Sequence, residues 1–489
     1  LMVDILTSRD TTHFVTECGD FRLHLNGQGG YKKLLGKADN FVQELKTELK
    51  SKQINISKLR QELPLAQLYL VTGKDNPLSR FIAHEGYTFQ DASIDVSSSP
   101  EIGLNGNIQL LELQNSSMKL DTVRFNITSD SVNCTYSAQI RNNKDNKQYV
   151  FNALLDGYVF EKGSGANIKF YDARDSLGLK LGAEASMEDK GIKLHLLTDE
   201  PILGYKKFKV NEDNYIYMGT DRRVSANLRL MAADGTGVHL YSNDDNTEAL
   251  QDLTIGLNKF DLEKVLSVVP YMPNITGIMN GDFHIIQMSD NLSLSAAISV
   301  DKMTYERSRM GNISTEFVYM PQSGGAHSLD GVLNCNNKQV AELSGTYNSE
   351  GEGNLDAKLT MSRMPARLIN GFIPDRIIRL NGYANGEVAL KGTLDKPQAN
   401  GEIKFDSCYM RSAQYGVRMR FSEDPLRIVG SNLLFEDFKM YANNDNPLTL
   451  NGNIDFSNLD NMNMDLRMVA RNCQVIDSKE NRRSIAFGK

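Results

Sequence analysis

The chain has 489 residues, of which 40% are hydrophobic and 24% are charged, a balance typical of a folded protein. It carries 54 Lys and Arg against 61 Asp and Glu, so the formal net charge is −7. Because the sequence contains no strong cluster of cations to bind phosphates, we expect no nucleic acid among its partners. It also lacks an apolar run of about 18 residues, so it predicts no membrane-spanning helix.

The predicted helices are few and short. Apolar residues at helical spacing predict one helix, and an Asn-Pro pair followed by a glycine marks the start and end of a second. Two shorter helices are predicted further on. The four predicted helices cover Tyr31 to Lys50, Asn76 to Gly86, 261–269 and 365–372.

From about residue 100 to the end, apolar and polar residues alternate with the period of a β-strand. Such one-sided strands are typical of antiparallel sheets, since buried parallel strands read as continuous apolar runs. The apolar positions are predicted to line the apolar face of the sheet; the family resemblance described below implies that this face lines a lipid groove. The predicted lining residues are Val123, Phe125, Ile127, Phe283, Ile285, Leu294, Ile298, Val300, Leu359, Val388, Leu390, Ile403, Phe405, Met464, Leu466 and Met468.

An internal repeat is visible in the glycines of the second half, which recur 105 positions later (382 − 277). The matching pairs are Gly277 with Gly382, Gly281 with Gly386, and Gly311 with Gly416. The chain is therefore divided into strands of unknown context at 1–30, a helical insertion or cap at 31–90, a β-trough segment at 91–260, a first repeat unit at 261–364, and a second repeat unit with further trough at 365–489.

A sheet with one apolar face must bury that face against helices, another sheet, itself or a ligand. The predicted helices are too few to cover several hundred residues of sheet. A sandwich, a closed barrel, a solenoid and a curled trough remain. We predict a mainly β fold, in which an elongated, repetitive antiparallel sheet curls into a trough with an apolar interior and a few short helices.

Motifs that carry chemistry are missing. The sequence contains no nucleophile elbow and no zinc-protease motif, and its seven histidines are scattered singly. The five cysteines lie far apart without a CxxC pair, and we expect them to be small buried residues. We therefore predict that the protein is not an enzyme, and we expect no metal site and no cofactor.

The segment that begins at Leu380 resembles the TamB family of the AsmA-like superfamily, in the form found in Bacteroidota. Its rhythm is a glycine that opens a strand, a Gly-Thr-Leu step, a proline and a glycine before the next strand. Gly73 and the segments at 65–70, 76–82, 86–89, 103–106 and 447–456 are also similar to that family. The residues that carry the main resemblance are Gly382, Gly386, Gly392, Pro397, Gly401 and Gly416.

The resemblance implies an inner-membrane-anchored periplasmic protein of a Gram-negative bacterium. It also implies that the sheet is folded as a long β-taco trough, with phospholipid acyl chains in its groove. Such bridge-like proteins are linked to phospholipid transport between the inner and outer membranes, and to assembly of outer-membrane proteins beside an Omp85-type barrel. We expect the inner-membrane anchor and the barrel-docking region to lie outside this piece. The alternatives are a scaffold or chaperone for outer-membrane β-barrel strands, and an extracellular β-solenoid adhesin or carbohydrate-active enzyme.

Overall fold

The structure is a computed structural model that covers most of the chain. It is mainly β, with 63% strand and 10% helix, and so confirms the predicted fold class of antiparallel strands with few short helices. Two compact units are distinguished: Leu1–Asp245 with Lys264–Met272, and Asn246–Glu263 with Pro273–Lys489. The described residues are 1–52, 55–197, 200–289, 291–349, 351–373, 378–394, 396–412, 417–442, 446–458, 462–471 and 473.

The first 245 residues contain three helices and eighteen strands among the described positions. In chain order these are β1 (Met2–Thr7), β2 (Thr11–Cys18), β3 (Phe21–Gln28), α1 (Tyr31–Ser51), α2 (Ile56–Gln61), β4 (Ala66–Thr72), α3 (Pro77–His84), β5 (Asp91–Ser99), β6 (Gly103–Gln114), β7 (Lys119–Ser129), β8 (Cys134–Asn142), β9 (Phe151–Phe160), β10 (Gly163–Tyr171), β11 (Leu177–Glu188), β12 (Gly191–Leu196), β13 (Ile202–Leu203), β14 (Lys206–Lys207), β15 (Lys209–Val210), β16 (Tyr215–Gly219), β17 (Val224–Met231) and β18 (Gly237–Ser242).

The elements that follow in the sequence are mostly longer strands. They are β19 (Gln251–Asp261), α4 (Leu262–Leu266), β20 (Ile275–Gln287), β21 (Leu292–Tyr305), β22 (Ser308–Pro321), β23 (Ala326–Cys335), β24 (Lys338–Asn348), β25 (Asn354–Pro365), a 3-10 helix (Ala366–Phe372), β26 (Arg379–Gly392), β27 (Gln398–Ser412), β28 (Val417–Phe421), β29 (Leu426–Val429), β30 (Asn432–Tyr441), β31 (Pro447–Asp455) and β32 (Asn463–Ala470).

Strands that are consecutive in the chain are usually neighbours in the sheet. In the first unit β1 to β11 form an unbroken antiparallel meander, with each strand paired to the next. In the second unit β19 to β27 do the same. There β28 and β29 each pair with both β27 and β30, so together they fill one strand position.

The helix predictions have mixed outcomes. Helix α1 lies where it was predicted, and α3 begins with Pro77 after a capping box formed by Asn76 and Ser79. The segment predicted as a helix near 365–372 is a 3-10 helix, and the one near 261–269 is reduced to α4. The predicted cap at 31–90 also contains α2 and the strand β4, which pairs with β3 and β5.

A recurrent β-bulge interrupts four strands of the second unit. In β19, β21, β25 and β30, two residues oppose one residue of the next strand, and the second of the two has a positive φ. The backbone N–H of that residue donates to the side-chain Oδ1 of an asparagine on the next strand. These pairs are Lys259 with Asn280 (2.9 Å), Lys302 with Asn312 (2.9 Å), Arg363 with Asn385 (2.7 Å) and Asp437 with Asn451 (2.9 Å).

The bulges recur with the 105-residue repeat, so the repeat is also present in the structure. Asn280 and Asn385 are 105 positions apart (385 − 280) and hold equivalent bulges. Gly277 and Gly382 have φ of 136° and 99° and lie opposite bulged pairs in β21 and β27. A side chain at Gly382 would meet the backbone of Cys408 at 2.5 Å, so the position requires glycine. Gly416 lies outside the described residues.

Asn142→Ala should destabilise the first unit by about 2–3 kcal/mol, because buried backbone groups would lose their partners. Asn142 is 2% exposed, accepts the N–H of Asp121 at 2.9 Å and donates to the carbonyl oxygen of Tyr149 at 2.8 Å. Hydrogen exchange in peptides from β7 to β9 measures this loss of stability. Asn126→Ala is the control, since Asn126 is exposed and makes one long contact to Ser137. Equal losses of stability in the two variants would contradict the stabilising role given to the Asn142 side chain.

Candidate functional site

The strand register places apolar side chains of the first unit on one face of its sheet, here called the first apolar face. Residues directly opposite each other in an antiparallel pair point to the same side, so they form rows across the strands. One such row crosses eight strands, β3 to β10. It consists of Leu23, Leu70, Ile94, Ile108, Phe125, Ala138, Leu155 and Ile168.

The opposite side of the same strands is mostly polar. The neighbouring row contains His24, Tyr69, Asp95, Asn107, Asn126, Ser137, Asp156 and Asn167.

The second unit has a comparable surface, here called the second apolar face. One row crosses thirteen strand positions from β19 to β32. It consists of Ile255, Phe283, Ala296, Phe317, Gly331, Leu343, Leu359, Val388, Gly401, Ile428, Leu433, Ile454 and Met464. The row on the other side of these strands contains the exposed carboxylates of Glu316, Glu342 and Glu387.

The predicted lining residues fall on these two faces. Val123, Phe125 and Ile127 lie on the first apolar face. The other predicted residues lie on the second, where Ile285 is directly opposite Leu294, and Leu359 is directly opposite Val388. The remaining members of that group are Phe283, Ile298, Val300, Leu390, Ile403, Phe405, Met464, Leu466 and Met468.

Several residues of the two faces escaped the sequence prediction. Ile94 and Ile168 belong to the first face, and Phe317 and Leu343 belong to the second. Each is apolar and alternates with polar neighbours, so the signal was present. What was missing was the register, which decides the strand partner of each residue.

The solvent exposure of the first apolar face varies along the sheet. Ile108 is 40% exposed and Ile168 is 43% exposed, although both lie on strands with neighbours on each side. By contrast, Phe151 and Phe170 are buried and stack with ring centroids 5.7 Å apart beneath Val268. Part of this face is thus accessible and part is sealed by the chain itself.

An aromatic cluster seals part of the second apolar face. Phe405 lies 5.1 Å from Phe421 and 6.2 Å from Phe438 between ring centroids, and Phe435 adds a fourth ring at 5.8 Å from Phe438. Phe438 is only 2% exposed. Phe405 therefore packs against a buried core but is itself half-buried, as are most of the predicted lining residues of β20 to β26. Met464 and Met468 on β32 are exposed.

Burial also changes the acidity of groups that share the second apolar face. Burial raises the pKa of the Cys408 thiol to about 11 and raises the pKa of Tyr319 above its usual value. Tyr319 lies directly opposite Leu294 and stacks on His327 with a centroid distance of 4.6 Å. These shifts have the direction expected where water is partly excluded.

Cys18 and Cys134 should react with iodoacetamide in the native protein well before Cys408 and Cys335. All five cysteines are free; Cys335, Cys408 and Cys473 are buried, as predicted, and the other two are partly exposed. The thiolate is the reactive form, so burial slows Cys408 through both access and pKa. Peptide mass spectrometry gives the rates. The expectation is contradicted if Cys408 reacts as fast in the native protein as in denaturant.

Within the described ranges there is no group of three or more His, Cys, Asp or Glu side chains placed to hold a metal ion. None of the described helices is both long and apolar enough to cross a membrane.

The chain matches no family model, no curated protein and no solved structure.

Proposed function

We propose that this chain is a periplasmic segment of a bridge-like protein that shelters phospholipid acyl chains on its apolar faces during transport between the inner and outer membranes. The observation that carries the proposal is the pair of apolar rows, which are continuous across eight and thirteen strand positions. Each row includes side chains that remain accessible or half-buried. Within each unit, a sheet that curls with its apolar face inside would form a groove.

The energetics favour a continuous apolar track. Moving an acyl chain of about 16 methylenes into water costs roughly 13 kcal/mol at about 0.8 kcal/mol per CH₂. An apolar face that stays in contact with the chain removes most of this barrier. The polar row on the other side keeps the sheet soluble, and ion pairs such as Lys358 with Glu387 at 2.7 Å lie there in the open.

The resemblance to the TamB family extends the proposal to location and partners. We place the protein in the periplasm of a Gram-negative bacterium, anchored to the inner membrane and meeting an Omp85-type barrel through regions outside this chain. Participation in outer-membrane protein assembly belongs to the same proposal.

Site-specific photocrosslinking tests the proposal. A benzophenone side chain at Phe283 or Phe317 should crosslink phospholipid in cells, because both positions lie on the second apolar face. The matched controls are the adjacent positions Asp282 and Glu316, which point to the polar side and are exposed. Equal crosslinking at all four positions, or none, would rule out the lipid-carrying face.

A scaffold for barrel strands is a second candidate, and β1 favours it. In the described part of the chain β1 pairs only with β2, and all six of its residues are exposed, including Val3 and Ile5. A free edge of this kind is able to pair with another strand. The scaffold would be favoured if a crosslinker at Ile5 captured an outer-membrane protein and a crosslinker at Phe317 captured no phospholipid. The adhesin alternative expects a parallel coil, whereas all strand pairs among the described residues are antiparallel.

A further inference from the structure

Helix α1 is attached to the first unit along one side only. Leu34 is buried and packs on Gly27, where a Cβ atom would lie 2.5 Å from Leu34 Cδ1. Glu48 is also buried, and its Oε2 accepts the N–H of Asn55 at 2.7 Å. The Nζ of Lys37 donates to the carbonyl oxygen of Gln61 at 2.8 Å. These contacts fix the orientation of the helix.

A second side of α1 is apolar and uncovered. Leu35 is 64% exposed, Val42 is 43% exposed and Leu49 is 54% exposed. They lie seven residues apart, so they share one side of the helix. Tyr31 and Ala38 are exposed on the same side. This exposed stripe, Tyr31 to Leu49, runs for about 27 Å at roughly 1.5 Å per residue.

Lysines border the exposed stripe on its solvent side. Lys32, Lys46 and Lys50 are exposed, and helical geometry places each of them next to the stripe. None of the three forms an ion pair with a described residue. The border has one acidic residue, Asp39. The acidic residues of the opposite side are engaged, since Glu44 pairs with Lys58 and Glu48 is buried.

We propose that α1 binds the surface of an anionic lipid bilayer, with its exposed stripe in the boundary between headgroups and acyl chains. Lys32, Lys46 and Lys50 reach the lipid phosphates from the edge of the stripe. An apolar side bordered by lysines is the pattern of a helix that lies in the membrane interface. A negatively charged leaflet also attracts this border in a chain whose net charge is −7.

The same charges disfavour a protein partner. The cores of protein interfaces are depleted of lysine, and the stripe has three lysines along one edge. A second copy of α1 would bring these lysines into the interface with only Asp39 available to pair with them. A lipid surface supplies the missing negative charge in any orientation.

Vesicle flotation of the full chain tests the proposal, with phosphatidylcholine vesicles that contain about one third phosphatidylglycerol or none. The protein should float with the anionic vesicles and dissociate in high salt. Charge reversal of the border should weaken binding roughly fivefold or more for each lysine. The border variant carries Lys32→Glu, Lys46→Glu and Lys50→Glu; the stripe variant carries Leu35→Ser, Val42→Ser and Leu49→Ser.

Matched controls separate α1 from general surface effects. The charge control reverses three exposed lysines elsewhere in the first unit, and the apolar control removes two exposed apolar side chains there. Both should bind as the wild type does. The charge control carries Lys144→Glu, Lys147→Glu and Lys162→Glu; the apolar control carries Val132→Ser and Tyr241→Ser.

Three outcomes would overturn the proposal: equal binding to neutral and anionic vesicles, equal loss in the charge control and the border variant, or a stripe-dependent dimer in sedimentation without vesicle binding. The border variant changes only exposed side chains, so it should fold normally, which circular dichroism checks. The test therefore remains valid even if the stripe variant unfolds. The phospholipid that co-purifies with each variant is measured in parallel. A variant that no longer floats with vesicles but still co-purifies with phospholipid would show that the α1 surface and the apolar faces are separate lipid-binding sites.

Discussion

On the proposed lipid-carrying function, replacing Ile298 by glutamate should lower the amount of phospholipid that co-purifies with the protein by about a hundredfold. Ile298 is half-buried on the second apolar face, directly opposite Gly281 and Thr315. A carboxylate among acyl chains costs about 3 kcal/mol, which corresponds to a factor of about 100 in occupancy. Lipid extraction followed by mass spectrometry, normalised to protein, gives the ratio.

Ser299→Glu is the matched control for this experiment. Ser299 is the next residue of β21, points to the other side and lies opposite Asn280 and Ser314. Its variant adds the same charge and should keep its lipid. If both variants lose lipid equally while remaining folded, the apolar face does not hold it. If neither loses any, the lipid lies elsewhere on the protein.

Phe438→Ala should destabilise the second unit by about 3–5 kcal/mol, because it removes the central ring of the aromatic cluster and leaves a cavity. Phe438 is 2% exposed and contacts Phe405, Phe421 and Phe435. Since a chain with two compact units need not unfold in one step, the loss is best followed by hydrogen exchange in peptides from β27 to β31.

Phe372→Ala is the control for the cluster. Phe372 is 68% exposed, and its ring contacts Tyr305 at a centroid distance of 4.7 Å. We expect a change below about 1 kcal/mol there, since an aromatic pair at the surface contributes at most about that much. Similar protection in the two variants would mean that the cluster is not a tightly packed core.

The alternation of residues was sufficient to predict the fold class, because each strand signals its own two sides. Phe125 between Arg124 and Asn126 is a clear example. The register between neighbouring strands was not predictable, because the alternation does not say which residue of one strand lies opposite which residue of the next. Gly331 and Gly401 show the limit, since each occupies an apolar row without an apolar side chain to reveal it.

The errors in the helices have local causes. The segment at Ala366–Phe372 has only seven residues and contains Gly371, and Asn370 uses its side chain to bind both backbone groups of Leu380. Such a tie to a neighbouring strand competes with a regular helix. The strand β4 was missed because its seven residues lie between helices, where the periodicity of the neighbours dominates.

The bulges could not be predicted from residue type. Positive φ normally favours glycine, yet Lys259, Lys302, Arg363 and Asp437 adopt it in the bulged strands. The conformation is held from outside each bulged strand by an asparagine on the next strand. A sequence pattern of apolar, polar, polar, apolar marks each site, but the same pattern is common in helices and loops.

The bulge and its asparagine also show how the sheet could be extended by duplication of the repeat. One 105-residue repeat contains six strands, from β20 to β25, before the equivalent strand β26 begins. Because six is even, a tandem duplication would return the chain in the same direction and on the same face, with each new bulge already facing its asparagine. Every added copy would widen the ladder by about 29 Å at roughly 4.8 Å per strand. Gene duplication could therefore increase the width of the sheet in steps of one repeat, without any change in the existing strands.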